Sequence, residues 1–357
     1  MNPKYVLICG LGLFLLTIAG SAQTPIQLSL NENPYGPPAG VSKRITAELA
    51  KVPRYIQTEP DTLVAAIARK EGVDQEQIIL GELLEPLGIY LGLRGGPGGE
   101  FLYAVPGYPA LVEAAARVGG TIISIPLNER KENDLAAFRA ALSAKTQALF
   151  LVNPHNPSGT VSDSRQFHTF LHEVSRQALI IVDEAYLEFS DDFEGRTAVI
   201  NTRLGDNVLV FRTFAKAYGM AGLSLGYAVA PKELARWLKT QGLSNSHDLN
   251  RLSVQAALAA LEDKQYLPRV HQIINQERTK WNTILADLKL PHTESQANFV
   301  YLDTGKPYEV VAAHFRKNGI IIGRAFAPYA TWVRISIGLP QENVRAQATL
   351  RELLSKK

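Results

Sequence analysis

Three groups of polar residues in this 357-residue chain each follow a short, strongly apolar run: Asn153 to Gly159 after ALFLV, Asp183 to Tyr186 after ALIIV, and Arg212 to Lys216 after VLVF. Their types form a chemical set. A lysine attacks a carbonyl once its surroundings lower its ammonium pKa, and it can afterwards carry a proton. An aspartate can keep a nitrogen base protonated, and a tyrosine and an asparagine can donate to a developing oxyanion. An arginine such as Arg334, in VRISIG, can clamp a carboxylate through two parallel hydrogen bonds.

These residues need a scaffold that brings three strand ends together. From about residue 61 the chain alternates helical periodicity with short apolar runs. Asp61 to Glu71, Pro109 to Val118 and Asp134 to Leu142 read as helices. Phe101 to Ala104, Thr121 to Ile125, Ala148 to Val152, Ala178 to Val182 and Val208 to Phe211 read as strands. Such alternation predicts an α/β fold, a largely parallel sheet covered on both faces, with its chemistry beyond the carboxyl ends of the strands. Beyond roughly Glu277 two helices alternate with strands at Asn298 to Leu302 and Trp332 to Ile337, the pattern of a smaller α+β domain. We divide the chain into a signal at 1–22, an N-terminal segment at 23–50 packing with the small domain, a large domain at 51–270 and a C-terminal small domain at 271–357. The glycine-rich stretch Gly95 to Gly99 lacks a following Lys-Ser/Thr and reads as a loop.

Composition removes several classes of function. The formal charge of +3 is spread without a basic cluster, so nothing marks a nucleic-acid partner. One cysteine, Cys9, and seven histidines without HExxH spacing argue against a disulfide framework and for no metal site. Lys4, the apolar run Tyr5 to Ile18 and the small residues Ala19 to Ala22 read as an export signal cleaved after Ala22. The run is shorter than the ~20 residues that span a bilayer, although an uncleaved anchor is the alternative. The expected location is periplasmic or secreted, with no membrane contact after cleavage. The remaining cysteine-free chain suits an oxidising compartment.

The sequence resembles the class I/II aminotransferases of pyridoxal phosphate (PLP) fold type I, and among them the histidinol-phosphate aminotransferases. The likeness rests on LNENPYG at Leu30 to Gly36, Arg54-Tyr55, NPHNPSG at Asn153 to Gly159 and DEAYLEF at Asp183 to Phe189. RTFAKAYG at Arg212 to Gly219 and VRISIG at Val333 to Gly338 complete it. The resemblance implies a large domain with a mostly parallel sheet between helices, a smaller α+β domain, and PLP as cofactor. It implies amino transfer from a small amino acid or amine to a keto acid, in a homodimer.

Carried over residue by residue, the resemblance makes Lys216 the Schiff-base lysine and Asp183 the partner of the pyridine nitrogen. Tyr186 and Asn156 become donors to the ring's phenolic oxygen, and Tyr108 the aromatic stacked on the ring. Tyr55 serves the phosphate from the neighbouring subunit, and the helix amides after Gly81, Thr213 and also Arg212 remain available to it. Arg334 becomes the carboxylate clamp, with Arg324, Asn33 and Asn298 at the substrate end. Each has a plainer reading. Asp183 is also a cap or turn aspartate, Asn156 the corner of an Asn-Pro turn, Tyr108 a packed tyrosine, Lys216 and Arg324 solvated cations, and Arg334 half of a surface ion pair.

The phosphate cup departs from the family pattern. Ala215 stands where a hydroxyl residue precedes the lysine, Ser224 where an arginine follows, and Glu82 to Glu85 where Gly-Ser-Asp-Glu opens a helix. One charge-assisted contact is worth about 1.5–3 kcal/mol, so PLP affinity falls by one or two powers of ten unless another group compensates. His247-Asp248 also replaces a Pro-Tyr-Asn segment, as an altered substrate wall or as a helix start capped by Asp248. Decarboxylation or oxidation of an amino acid, and non-catalytic binding, stay open on the same residues.

Overall fold

The computed structural model describes residues 24–355; the export signal read at the N-terminus lies outside them. Eleven strands occur among these residues. They are β1 (Ile26–Leu28), β2 (Ile78–Gly81), β3 (Glu100–Val105), β4 (Thr121–Pro126), β5 (Thr146–Val152) and β6 (Leu179–Asp183). The others are β7 (Val208–Thr213), β8 (Gly226–Val229), β9 (Phe299–Asp303), β10 (Ile320–Ile322) and β11 (Trp332–Ser336).

Seven of them form one sheet in the order β2-β8-β7-β6-β5-β3-β4, parallel throughout except for β8. The central strands are apolar on both faces because both faces are covered. Ile180 and Val182 of β6 join the core on one side, while Leu179 and Ile181 join the core on the other. The covering helices carry legible ends. Helix Glu59–Glu71 opens with Pro60 among acidic residues and stops at Gly72, whose φ of 64° suits glycine. Helix Ser164–Val174 is capped by Asp163, which accepts from the Gln166 amide at 2.9 Å.

Two small pairs complete the fold, and they matter most for the site. β1 lies parallel to β10, and β9 antiparallel to β11 with Arg334 opposite Tyr301. The first pairing returns the N-terminal segment across almost the whole chain and delivers Ser29, Leu30 and Asn31 to the region of Lys216. The helix after His247 is Arg251–Glu262. Its cap is Asn250, which accepts from Leu252 and Ser253 amides at 2.8 and 3.2 Å, so Asp248 is not the cap.

Candidate active site

The carboxyl ends of β5, β6 and β7 converge as their sequences predict. Strand alternation decides which side chains face the same space. In β7, Phe211 and Thr213 line a cavity of about 700 Å³, with Gly81, Tyr108 and Ala215 on its other walls. Asp183 is in register with Phe211 on the adjacent parallel strand, so its carboxylate projects on that same face. Lys216 follows on the loop after β7, held by a turn in which Thr213 Oγ1 accepts from the Ala215 amide at 3.0 Å. The loop packs closely on the N-terminal segment: Gly219 has φ 68°, and a Cβ there would sit 2.4 Å from the Gly36 carbonyl oxygen.

Arg212, one residue from Thr213, points to the opposite face. Its guanidinium is fully buried and bonded to Glu71 at 3.0 Å, to Glu184 at 2.8 Å and to Thr197 at 2.6 Å. This corrects the expectation that Arg212 serves a phosphate, because its donors are spent on two carboxylates across the sheet.

The electrostatics of the cavity side are those of a reactive site. Lys216 has its ammonium pKa lowered, chiefly by burial and then by the Arg334 guanidinium, while Glu32 and Asp183 oppose the shift. Its Nζ donates to the Leu30 carbonyl at 2.9 Å and lies 5.9 Å from the Tyr186 ring centre. Asp183 is pushed up to about 7 by burial, against the Ala185 amide that it accepts at 2.9 Å and against the charge of Lys216. Among the described residues that amide is the one hydrogen bond of this carboxyl group. A buried carboxylate so poorly satisfied is a site for a cation, as a protonated ring nitrogen is.

Tyr186 and Asn156 stand side by side: the Asn156 amide reaches the Tyr186 hydroxyl at 3.5 Å. Asn156 Oδ1 in turn accepts from Arg334 at 2.5 Å. Arg334 also donates to the Ser29 carbonyl at 2.6 Å, and its Nε is buried without a partner. No carboxylate pairs with Arg334 among the described residues, and burial lowers its pKa. A buried guanidinium bonded to neutral oxygens alone is the complement of an incoming anion, and not the surface ion pair that is its plainer reading. Arg324 is exposed beside it, 3.4 Å from the Gly107 carbonyl, and its charge is felt by Arg334. Tyr108 lines the cavity, and its hydroxyl pKa is raised by burial and by the charges of Asp183 and Tyr186.

One residue is placed differently from expectation. Asn33 donates to Ala217 at 2.8 Å and to Tyr266 at 3.0 Å, so both its amide hydrogens are spent tying the N-terminal segment down. The asparagine that reaches the site is Asn31, whose amide donates to Tyr186 at 3.2 Å and whose Oδ1 accepts from Ser336 at 2.9 Å. Its φ of 56° is a conformation asparagine tolerates, but no local pattern in the sequence marks it. Asn298 stands behind it, donating to the Asn31 carbonyl at 3.0 Å. Tyr55 does not line the cavity; it is 77% exposed, its ring 5.4 Å from that of His247.

The residues present fit PLP at its ring: an amine, a cation-seeking carboxylate, two donors side by side and an aromatic wall. At the phosphate end the cavity offers Gly81, Thr213 and the first amides of helix Leu84–Gly95, with no lysine or arginine among its lining residues.

Residues 23–349 match the family model of aminotransferase class I and II. The chain belongs to this family. The aminotransferase is 35% identical to the histidinol-phosphate aminotransferase of Shouchella clausii, across 90% of this chain and 87% of that one. It is 32% identical to histidinol-phosphate aminotransferase 2 of Carboxydothermus hydrogenoformans, across 92% and 91%. The histidinol-phosphate aminotransferase of Sinorhizobium meliloti, solved in complex with pyridoxal-5'-phosphate, superimposes with a TM-score of 0.84 at 28% identity, across 93% and 91%. The fold is that of the type I PLP aminotransferases, and the enzyme is a PLP-dependent transferase that takes an amino donor and a keto acid.

Proposed function

We propose that the enzyme transfers the amino group of an α-amino acid to a keto acid, with Lys216 as the covalent anchor and proton carrier and Arg334 as the carboxylate clamp. The observation that carries this reading is the buried guanidinium of Arg334, unpaired by any carboxylate among the described residues and 2.5 Å from Asn156. Bound PLP supplies the electron sink that weakens the bond at the substrate α-carbon. The chain supplies the rest. Arg334 receives the carboxylate in a bidentate pair, which sets the α-carbon facing Lys216. The Lys216 amine, whose ammonium pKa is lowered by burial, takes the α-proton at Nζ and returns it later. Asp183 holds positive charge at the ring nitrogen, and Tyr186 and Asn156 hold the ring oxygen. Thr213 and Gly81 serve the phosphate, and Tyr108 covers the ring. Exposed Arg324 selects substrates with a second anionic group.

A panel of amino acids assayed against keto acids tests the reading, with products identified by mass spectrometry. Keto-acid formation coupled to amination of the acceptor is expected; carbon dioxide or peroxide without amination rejects it. In the same assay Arg334→Ala is expected to lower kcat/KM by about 10²-fold or more, mostly through KM, because truncating one partner of a buried charge pair costs roughly 2–5 kcal/mol. An equal loss with an amine substrate that has no carboxylate would refute the clamp.

The exposure of Tyr55 and its absence from its own cavity support a homodimer in which Tyr55 of one copy reaches the other's site. Sedimentation of the holoenzyme at the mass of a single chain would contradict this. The N-terminal apolar run supports export, and also an acceptor other than an intermediate of cytoplasmic biosynthesis. N-terminal sequencing of protein from the periplasmic fraction is expected to begin at Gln23; intact Met1 on cytoplasmic enzyme would contradict export.

A further inference from the structure

We propose that the cofactor site of this chain distinguishes only weakly between PLP and its unphosphorylated form, pyridoxal, because Glu82, Ala215 and Ser224 leave the phosphate wall without a cation. The inference rests on the reading that Lys216 and Asp183 anchor the cofactor in this cavity.

The wall in question runs from Gly81 to Pro86 and faces Thr213, Ala215 and Ser224. Its charged side chains are Glu82 and Glu85, and both are carboxylates. Helix Leu84–Gly95 begins here, but its third residue is Pro86, which has no N–H, so the helix start presents one amide fewer than usual. Glu85 already complements the positive end of that helix and pairs with Arg117 at 2.9 Å on the outer surface. Glu82, exposed on the cavity wall, has no hydrogen bond or ion pair among the described residues to neutralise it. A phosphate dianion seated here gains neutral donors and meets an unneutralised carboxylate.

Ser224 weakens the wall again. It sits in a left-handed turn at φ 40° and borders both this cavity and a neighbouring one of about 550 Å³, which share Gly81, Glu82 and Leu83 as well. A short side chain in that shared partition leaves the phosphate end bordering a second cavity, which also has no lysine or arginine among its lining residues. The ring contacts, by contrast, are independent of the phosphate. Lys216, Asp183, Tyr186 and Tyr108 bind the part of the cofactor that pyridoxal retains in full.

The test is a titration of the apoenzyme with PLP and with pyridoxal, reading the visible band of the lysine-bound cofactor. In wild type the two dissociation constants are expected to differ by less than ~10²-fold, against the larger ratio that a cationic cup imposes. Glu82→Gln, on an exposed side chain, is expected to tighten PLP about threefold or more, and Ser224→Arg about tenfold or more. Neither should move pyridoxal by more than about twofold, since pyridoxal lacks the charge involved. A wild-type ratio above ~10², or a ratio unmoved by Glu82→Gln, overturns the inference. A lysine-dependent band with neither form removes the Lys216 reading itself, and this inference with it.

Discussion

Lys216→Ala is expected to lower turnover by ~10⁴-fold or more and to abolish the visible band of the bound cofactor. The variant removes two functions held by one nitrogen: the covalent anchor and the group that moves the α-proton. Neither has a stand-in, because among the described residues the nearby cations are Arg334 and Arg324, and a guanidinium offers no amine to anchor the cofactor. The fold should not suffer, since Nζ makes a single hydrogen bond, to the Leu30 carbonyl, and unfolding free energy is expected to change by no more than about 1 kcal/mol. Lys216→Arg sharpens the test. It keeps a cation near Asp183 but cannot serve as an amine, so it should be as inactive as the alanine variant. Activity within tenfold of wild type in either variant would remove Lys216 from the mechanism.

How much of this was legible in the sequence varies by element, for physical reasons. β5, β6 and β7 stand out because burial on both faces demands a continuous apolar run, and the reactive residues follow where such runs end. β2 and β8 escape notice. Each has four residues, and β8 opens with Gly226, too short and too weakly patterned to declare a period. Arg212 was misjudged although the rule that places it was available: neighbours on a strand point to opposite faces, so Arg212 and Thr213 cannot both meet one phosphate. Asn31 and Asn33 differ in another way. They lie in irregular backbone, where no period assigns a direction, and the partner that selects Asn31 is Ser336, 305 residues away. The pairing of β1 with β10, itself a contact between distant parts of the chain, and the bonds of Asn298 and Arg334 to the same segment bring that partner near.

Asp183→Asn should produce the second large effect and, unlike the lysine variant, a change in pH behaviour. The amide is nearly isosteric and can still accept from the Ala185 N–H, but it cannot sustain a positive charge on a ring nitrogen opposite it. Loss of one preorganised electrostatic partner typically costs ~10²–10³ in kcat, and that loss is expected here with the cofactor still bound through Lys216. The stability of the apoenzyme gives an independent reading. The Asp183 carboxyl has an ordinary value of 3.8 and is pushed up to about 7 in the folded chain, mainly by burial. Between these values the folded state binds more protons than the unfolded one, so the contribution of this group is fully present below the lower value and is lost as pH rises through the upper. Raising the pH from about 5 to about 8 should therefore cost wild-type apoenzyme on the order of 2 kcal/mol through this residue alone. Asp183→Asn, neutral throughout, should lack that part of the slope when urea unfolding is compared at the two values. Cofactor binding should flatten the wild-type slope as well, since the carboxylate then faces a cation and ionises at lower pH. If wild type and variant unfold with the same pH dependence, and turnover stays within tenfold, the carboxylate at 183 is neither strained by burial nor matched to a charged ring.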